Sequence, residues 1–95
     1  MPFLRIEFNL ESLRKLAERG VSVDEVTEIF RTNPVVWLKN PNPRVEGSRW
    51  LIGPTRVGRF LTVVVDPDPA DHGRWHVMTA WKSTDAQIRL YRNAQ

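Results

Sequence analysis

The first stretch of the chain alternates strictly between apolar and polar positions. Over residues 3–8, Leu4, Ile6 and Phe8 fall on one side and Phe3, Arg5 and Glu7 on the other. That period of two predicts a short strand. The period then lengthens. Leu10, Leu13, Leu16 and Ala17 share one face of a helix over residues 10–19, Asn9 stands where a side-chain oxygen caps free amides, and Gly20 supplies the left-handed residue that ends it. A second helix starts at Ser22. Ser22 and Glu25 have capping-box spacing, Asp24, Glu25 and Glu28 sit early where the helix dipole favours negative charge, and Val23, Val26, Ile29 and Phe30 form the apolar face. Asn33-Pro34 stops this helix, because the residue before a proline is pushed out of helical backbone.

Period two then returns. Residues 35–39, 49–53, 59–65 and 74–81 read as strands, separated by the Asn40-Pro41-Asn42-Pro43 loop, a turn over 54–58 and a polar loop over 66–73. Phe60, Leu61, Thr62, Val63, Val64 and Val65 are nearly unbroken, which predicts a central strand covered on both faces. In the last strand Trp75, Val77, Thr79 and Trp81 alternate with His76, Met78 and Ala80. Thr84 and Gln87 repeat the capping-box spacing ahead of a final helix carrying Ile88, Leu90 and Tyr91. The order is strand, two helices, four strands, helix. Short connections between the last three strands imply an antiparallel meander. The expected fold is α+β: a twisted, mainly antiparallel sheet with the two N-terminal helices packed on one face and a short C-terminal helix. The other sheet face stays partly open, and it is the natural place for a binding surface.

Ninety-five residues suit a single domain over 1–95, and 41% hydrophobic with 26% charged residues is a globular rather than a disordered mixture. No apolar run approaches the roughly 20 residues of a membrane helix, so no membrane partner is expected. The chain has no cysteine, which excludes disulfides, thiolate metal sites and a thiol nucleophile. Residues 1–5 also lack a basic-then-apolar leader pattern, and the expected compartment is the cytoplasm. His72 and His76 alone are too few ligands for zinc, and no cofactor is expected. Charge changes the picture more. The first 43 residues balance six basic against six acidic side chains, whereas the remainder carries eight against five and holds the whole net charge of +3. A local surplus of arginine near strands suits a polyanion; a plain solvated basic surface is the alternative.

Three segments carry a resemblance. They are Gly20-Val21-Ser22-Val23-Asp24-Glu25-Val26 with Ile29-Phe30 behind it, the strand Gly58-Arg59-Phe60-Leu61-Thr62-Val63-Val64-Val65, and Val77-Met78-Thr79-Ala80-Trp81 ahead of a helix containing Tyr91. In this order and spacing the chain, over about residues 20–91, resembles the BrnT-type branch of the RelE superfamily of toxin–antitoxin ribonucleases. The resemblance implies the toxin component of a type II system, a metal-independent endoribonuclease that cleaves RNA. Its partner would be a small antitoxin protein encoded by a neighbouring gene, in a homo- or hetero-oligomer. Two positions depart from the family pattern. The usual Ser-Ala-Arg at the end of the last strand reads Thr79-Ala80-Trp81, and the Lys-His before the Gly-Val-Ser turn reads Glu18-Arg19.

Cleaving RNA without a metal needs a base for the ribose 2′-hydroxyl, cations for the charge that builds on phosphate, and an acid for the leaving oxygen. Arg59, directly after a glycine, and Arg49, opening the neighbouring strand, are candidate phosphate clamps, since a guanidinium grips two oxygens at once. Lys82 follows the position of the missing family arginine and is the third candidate cation. His76, inside a strand, is the candidate proton carrier. Arg56, Trp81, Arg89 and Tyr91 are candidate RNA contacts. Each has a plain alternative: solvated charge for the cations, packing for Tyr91, a satisfied strand histidine for His76. Tryptophans at strand ends can stack on unpaired bases. Packing is the preferred reading for Trp37, Trp50 and Trp75, and Trp81 is the exception because it replaces a charged family residue. A second function fits the same residues: a non-catalytic interaction module of this fold, whose exposed aromatic and basic face binds a protein partner or nucleic acid. The Arg-to-Trp departure favours it. The nuclease requires Arg49, Arg59 and Lys82 to share one surface.

Overall fold

A computed structural model describes residues 5–31 and 36–94. The chain runs β1 (Arg5–Glu7), α1 (Leu10–Glu18), α2 (Val23–Arg31), β2 (Val36–Lys39), β3 (Arg49–Pro54), β4 (Phe60–Pro67), β5 (Arg74–Lys82) and α3 (Asp85–Asn93). The expected helix stop at Asn33-Pro34, the strand positions Phe3, Leu4 and Val35, and the side chain of Trp37 lie outside the described residues.

Local chemistry accounts for the helix starts. Asn9 Oδ1 accepts from the Ser12 amide at 2.8 Å, and Ser12 Oγ accepts from the Asn9 amide at 2.9 Å. Ser22 with Glu25, and Thr84 with Gln87, make the same reciprocal pair at 2.9–3.2 Å. Each such cap contributes about 1 kcal/mol. Gly20 at φ +68° turns the chain between α1 and α2, a conformation that costs a residue with a Cβ about 1–2 kcal/mol.

The strands form one five-stranded sheet in the order β1-β5-β4-β3-β2, antiparallel except where β1 runs parallel to β5. The unbroken apolar strand β4 is therefore central, as its sequence implies. Helices α1 and α2 cover one face. Leu16, Val21, Val26, Ile29 and Phe30 meet Leu51, Leu61, Val63, Val65, Val77 and Ala80 there, all buried. Each fully buried aliphatic side chain in this layer contributes roughly 1.5–3 kcal/mol. Helix α1 turns inward through Ser12 and Leu16, whereas Leu10 and Leu13, expected on its apolar face, are exposed.

The expected alternation along β5 does not hold. Thr79 pairs with Val64 but Val77 pairs with Val65, so Met78 is an extra residue in the ladder. This bulge resets the alternation. Trp75, Val77 and Ala80 pack in the helix-side core, while Met78, Thr79 and Trp81 line the opposite face. Helix α3 covers only part of that opposite face: Tyr91 packs with Ile52, against Phe60, Trp50 and Leu38. Among the described residues no helix is long and apolar enough to cross a membrane.

Candidate nucleic-acid interface on the open sheet face

What α3 leaves uncovered is a cleft of about 430 Å³. Its floor is sheet: Trp50 from β3, Val64 from β4, and Met78, Thr79 and Trp81 from β5. One wall is the end of α1, through Lys15, Glu18 and the C-cap residue Arg19. β1 pairs with β5 only from Arg74 to His76, and α1 packs against β5 as well. Lys15 and Arg19 are four apart, so both fall on one helix face. The other wall is the β2–β3 loop with Asn40, Asn42, Arg44 and Ser48. Asn40, nearly buried, holds that loop: its Nδ2 donates to Ser48 Oγ at 3.0 Å and its Oδ1 accepts from the Asn42 amide at 2.9 Å. The prolines at 41 and 43 leave few competing backbone donors.

The aromatic centre of the cleft is held firmly. Trp81 Nε1 donates to Gln87 Oε1 at 3.1 Å, and Trp50 meets the Trp81 ring edge-on, with centroids 5.8 Å apart at 85°. The same Gln87 oxygen accepts from Thr62 Oγ1 at 3.0 Å and from the Thr84 amide at 2.9 Å. The Arg19 guanidinium lies over the Trp81 ring, 5.8 Å from its centroid, within cation–π reach. Three cations, Lys15, Arg19 and Arg44, thus share the cleft with two carboxylates, Glu18 and Asp66.

Asp66 and Met78 also line a second depression of about 380 Å³. His76 lies in it, with Asn9, Val45, Glu46 and Pro67. His76 Nε2 donates to Asp68 Oδ2 at 2.9 Å, since a carboxylate can only accept. Glu7 Oε1 stands 3.9 Å from Nδ1. The hydrogen bond from His76 and the amides of Ala70 and Asp71 hold the Asp68 carboxyl below its usual range. The Asp68 bond makes His76 a tie between β5 and the loop that follows β4. Arg74, bridging Glu7 at 3.3 Å and Asp71 at 3.6 Å, and Arg5, paired with Asp71, tie the same region to β1.

The other candidate residues scatter. Arg59 Nη2 donates to the Gly20 carbonyl at 2.7 Å and pairs with Glu25 at 3.3 Å, so it staples β4 to the α1–α2 turn. Arg49 lies opposite Val65, six residues along the sheet from Arg59, roughly 20 Å; its Nη1 donates to the Ser48 carbonyl at 3.2 Å. Lys82 is opposite Leu61, at the Arg59 end, and exposed. The expected cationic grip of Arg49, Arg59 and Lys82 is therefore not formed. Arg56 is exposed on the β3–β4 turn, 3.5 Å from Glu28 of α2 and away from the cleft. Arg89 is exposed on α3. Tyr91 is 7% exposed and packs edge-on against Phe60 with centroids 5.3 Å apart, so it is core rather than an RNA contact. Of the eight candidates, only Trp81 lies in the cleft. Lys15, Arg19, Asn42 and Arg44 were not singled out by sequence reasoning; the i, i+4 pair on α1 was the one local signal for them.

No protein-family model matches this chain, and no curated protein matches it. Among the described residues, no group of three or more His, Asp or Glu side chains is arranged to hold a metal ion.

Proposed function

We propose that this chain is a nucleic-acid-binding module that takes single-stranded RNA into the cleft on the open sheet face. The observation that carries the reading is the composition of that cleft: an ordered tryptophan pair on the floor, with Lys15, Arg19 and Arg44 on both walls. Aromatic floors with basic walls suit single strands, because every unpaired base offers a π-face and every linkage a charge. A duplex offers neither free base faces nor room in a cleft of about 430 Å³. The net charge of +3 supports a polyanion. The resemblance to BrnT-type toxins supplies RNA as the target. The test is fluorescence anisotropy of a labelled short oligouridylate. Binding weakened by Lys15→Ala and Arg44→Ala, but not by Arg56→Ala or Arg89→Ala, is expected; equal loss at all four positions points to unspecific surface charge instead.

Cleavage is the second reading, favoured by Glu18 and Asp66 in the same cleft as the three cations. Carboxylates beside phosphate-neutralising cations are the groups that metal-independent transesterification needs. As a type II toxin, the chain would arrest growth when expressed alone and be relieved by a small antitoxin from the neighbouring gene. Incubation with single-stranded RNA in EDTA decides between the readings: products that vanish in Glu18→Gln or Asp66→Asn establish the nuclease, and intact RNA under saturating binding leaves the non-catalytic module.

A further inference from the structure

Four features of the cleft bear on what it can hold, and two of them concern one ring. Trp81 is oriented before any ligand arrives, by the Gln87 bond at 3.1 Å and by the edge contact with Trp50. No side-chain ordering is then left to oppose stacking on it. One face of the ring carries the Arg19 guanidinium, whose carbon stands 5.8 Å from the centroid on an exposed side chain, a cation–π partner that a base can exchange for solvent or phosphate. The hydroxyl of Thr79, on the cleft floor, has no hydrogen-bond partner among the described residues. The volume of about 430 Å³ lies near the small end of the range for sites that enclose one small ligand.

We infer that the cleft is a single-base site, in which one unstacked nucleobase lies flat on Trp81 while Lys15 and Arg44, on opposite walls, hold the flanking phosphates. This rests on the RNA-binding reading above. The incoming base displaces Arg19 from the ring, and the freed guanidinium covers its outer face or turns to a phosphate. Asn42, which lines the same wall as Arg44, has an amide donor and acceptor to offer the base edge. The chemistry explains why tryptophan can stand at this position: where the resembling family places a cation for phosphate, this chain places a platform for a base, and it carries its cations on the walls.

The experiment measures affinity for a labelled uridine trinucleotide, in which only the central base has a phosphate on each side and no register shift can replace it, and for the same trimer with one abasic position scanned along it, using wild type, Trp81→Ala and Trp81→Phe. Base stacking lost from a platform weakens binding by about 5- to 150-fold. Trp81→Ala is expected to lose affinity within that range, and Trp81→Phe to keep most of it. The central abasic position should cost wild type the same factor and cost Trp81→Ala nothing further. Equal affinity of wild type for intact and abasic oligomers at every position overturns the single-base site while leaving RNA binding in place. Failure of wild type to bind any oligomer overturns the RNA reading itself. Should Trp81→Ala not fold, the abasic scan on wild type and Trp81→Phe still decides.

Discussion

Replacing Gln87 by methionine tests how the sheet, the last helix and the cleft are joined. Gln87 is 9% exposed, and its Oε1 receives three donors: the indole of Trp81, the hydroxyl of Thr62 and the amide of Thr84. Methionine keeps the length and volume of the side chain and removes the acceptor. The three donors do not suffer equally. Thr62 still has Ser83 Oγ at 2.8 Å, so its loss is small. The Thr84 amide loses half of the α3 capping box, about 1 kcal/mol. The Trp81 N–H is left part-buried without a partner, about 1 kcal/mol more. The expected destabilisation is roughly 2 kcal/mol, or a fall in Tm of about 8–16 °C for a domain of this size. Urea unfolding followed by tryptophan fluorescence reads it as a lower midpoint at unchanged slope. Arg89→Ala, exposed on the same helix, serves as the control and should shift stability by less than about 0.5 kcal/mol. If Gln87→Met also stays within that margin, the oxygen is not the junction described, and the fixed orientation of Trp81 loses its cause.

Three further outcomes follow from the same contacts. Arg59→Ala should cost about 1 kcal/mol through the Gly20 carbonyl bond and the Glu25 pair, with RNA affinity unchanged in the anisotropy titration; lost affinity at unchanged stability would return Arg59 to the binding surface. Arg44→Ala should flatten the dependence of log K on log salt by about 0.7 if that side chain neutralises one phosphate of a single strand; an unchanged slope removes it from the contact. Asp68, whose folded-state pKa is lowered, stabilises the fold above its unfolded pKa of about 3.9, and this contribution is lost as pH falls through the folded value. Asp68→Asn should therefore narrow its stability gap to wild type as pH drops below about 4, and a gap that stays constant would refute the His76 bond as its source.

The features legible in the sequence are those whose cause is local. All three reciprocal caps, Asn9 with Ser12, Ser22 with Glu25 and Thr84 with Gln87, use groups three residues apart, although the first was visible only as a lone asparagine. The central place of β4 follows from its own composition. The cleft has no such local cause. Arg19 and Arg44 are 25 positions apart in the chain, and they share one cleft only through tertiary packing of α1 against β5 and the course of the β2–β3 loop. Arg59 misled for the same reason: a charge after a glycine at a strand start reads as available, yet its partners, Gly20 and Glu25, lie on the helical layer. Trp81 was legible only because tryptophan replaces a charge in the resembling pattern.

The bulge at Met78 shows how one residue decides which side of the sheet becomes a binding face. In a strand of strict alternation, Val77 and Trp81 would point the same way. Val77 is core, so Trp81 would enter the helix layer and Ala80 would face the cleft. The extra residue breaks the alternation, keeps Ala80 inside and turns Trp81 outward. A slip of one position normally reverses every later side chain, but here the slip is already built in. Deleting Met78 therefore leaves Val77, Thr79, Ala80 and Trp81 alternating regularly, each on the face it now occupies. Deleting Ala80 instead forces either Thr79 or Trp81 into its buried place. The expectation is that the Met78 deletion unfolds cooperatively in urea, whereas the Ala80 deletion does not fold. A Met78 deletion that fails to fold while the Ala80 deletion survives would mean that something other than this ladder irregularity aims Trp81 at the cleft.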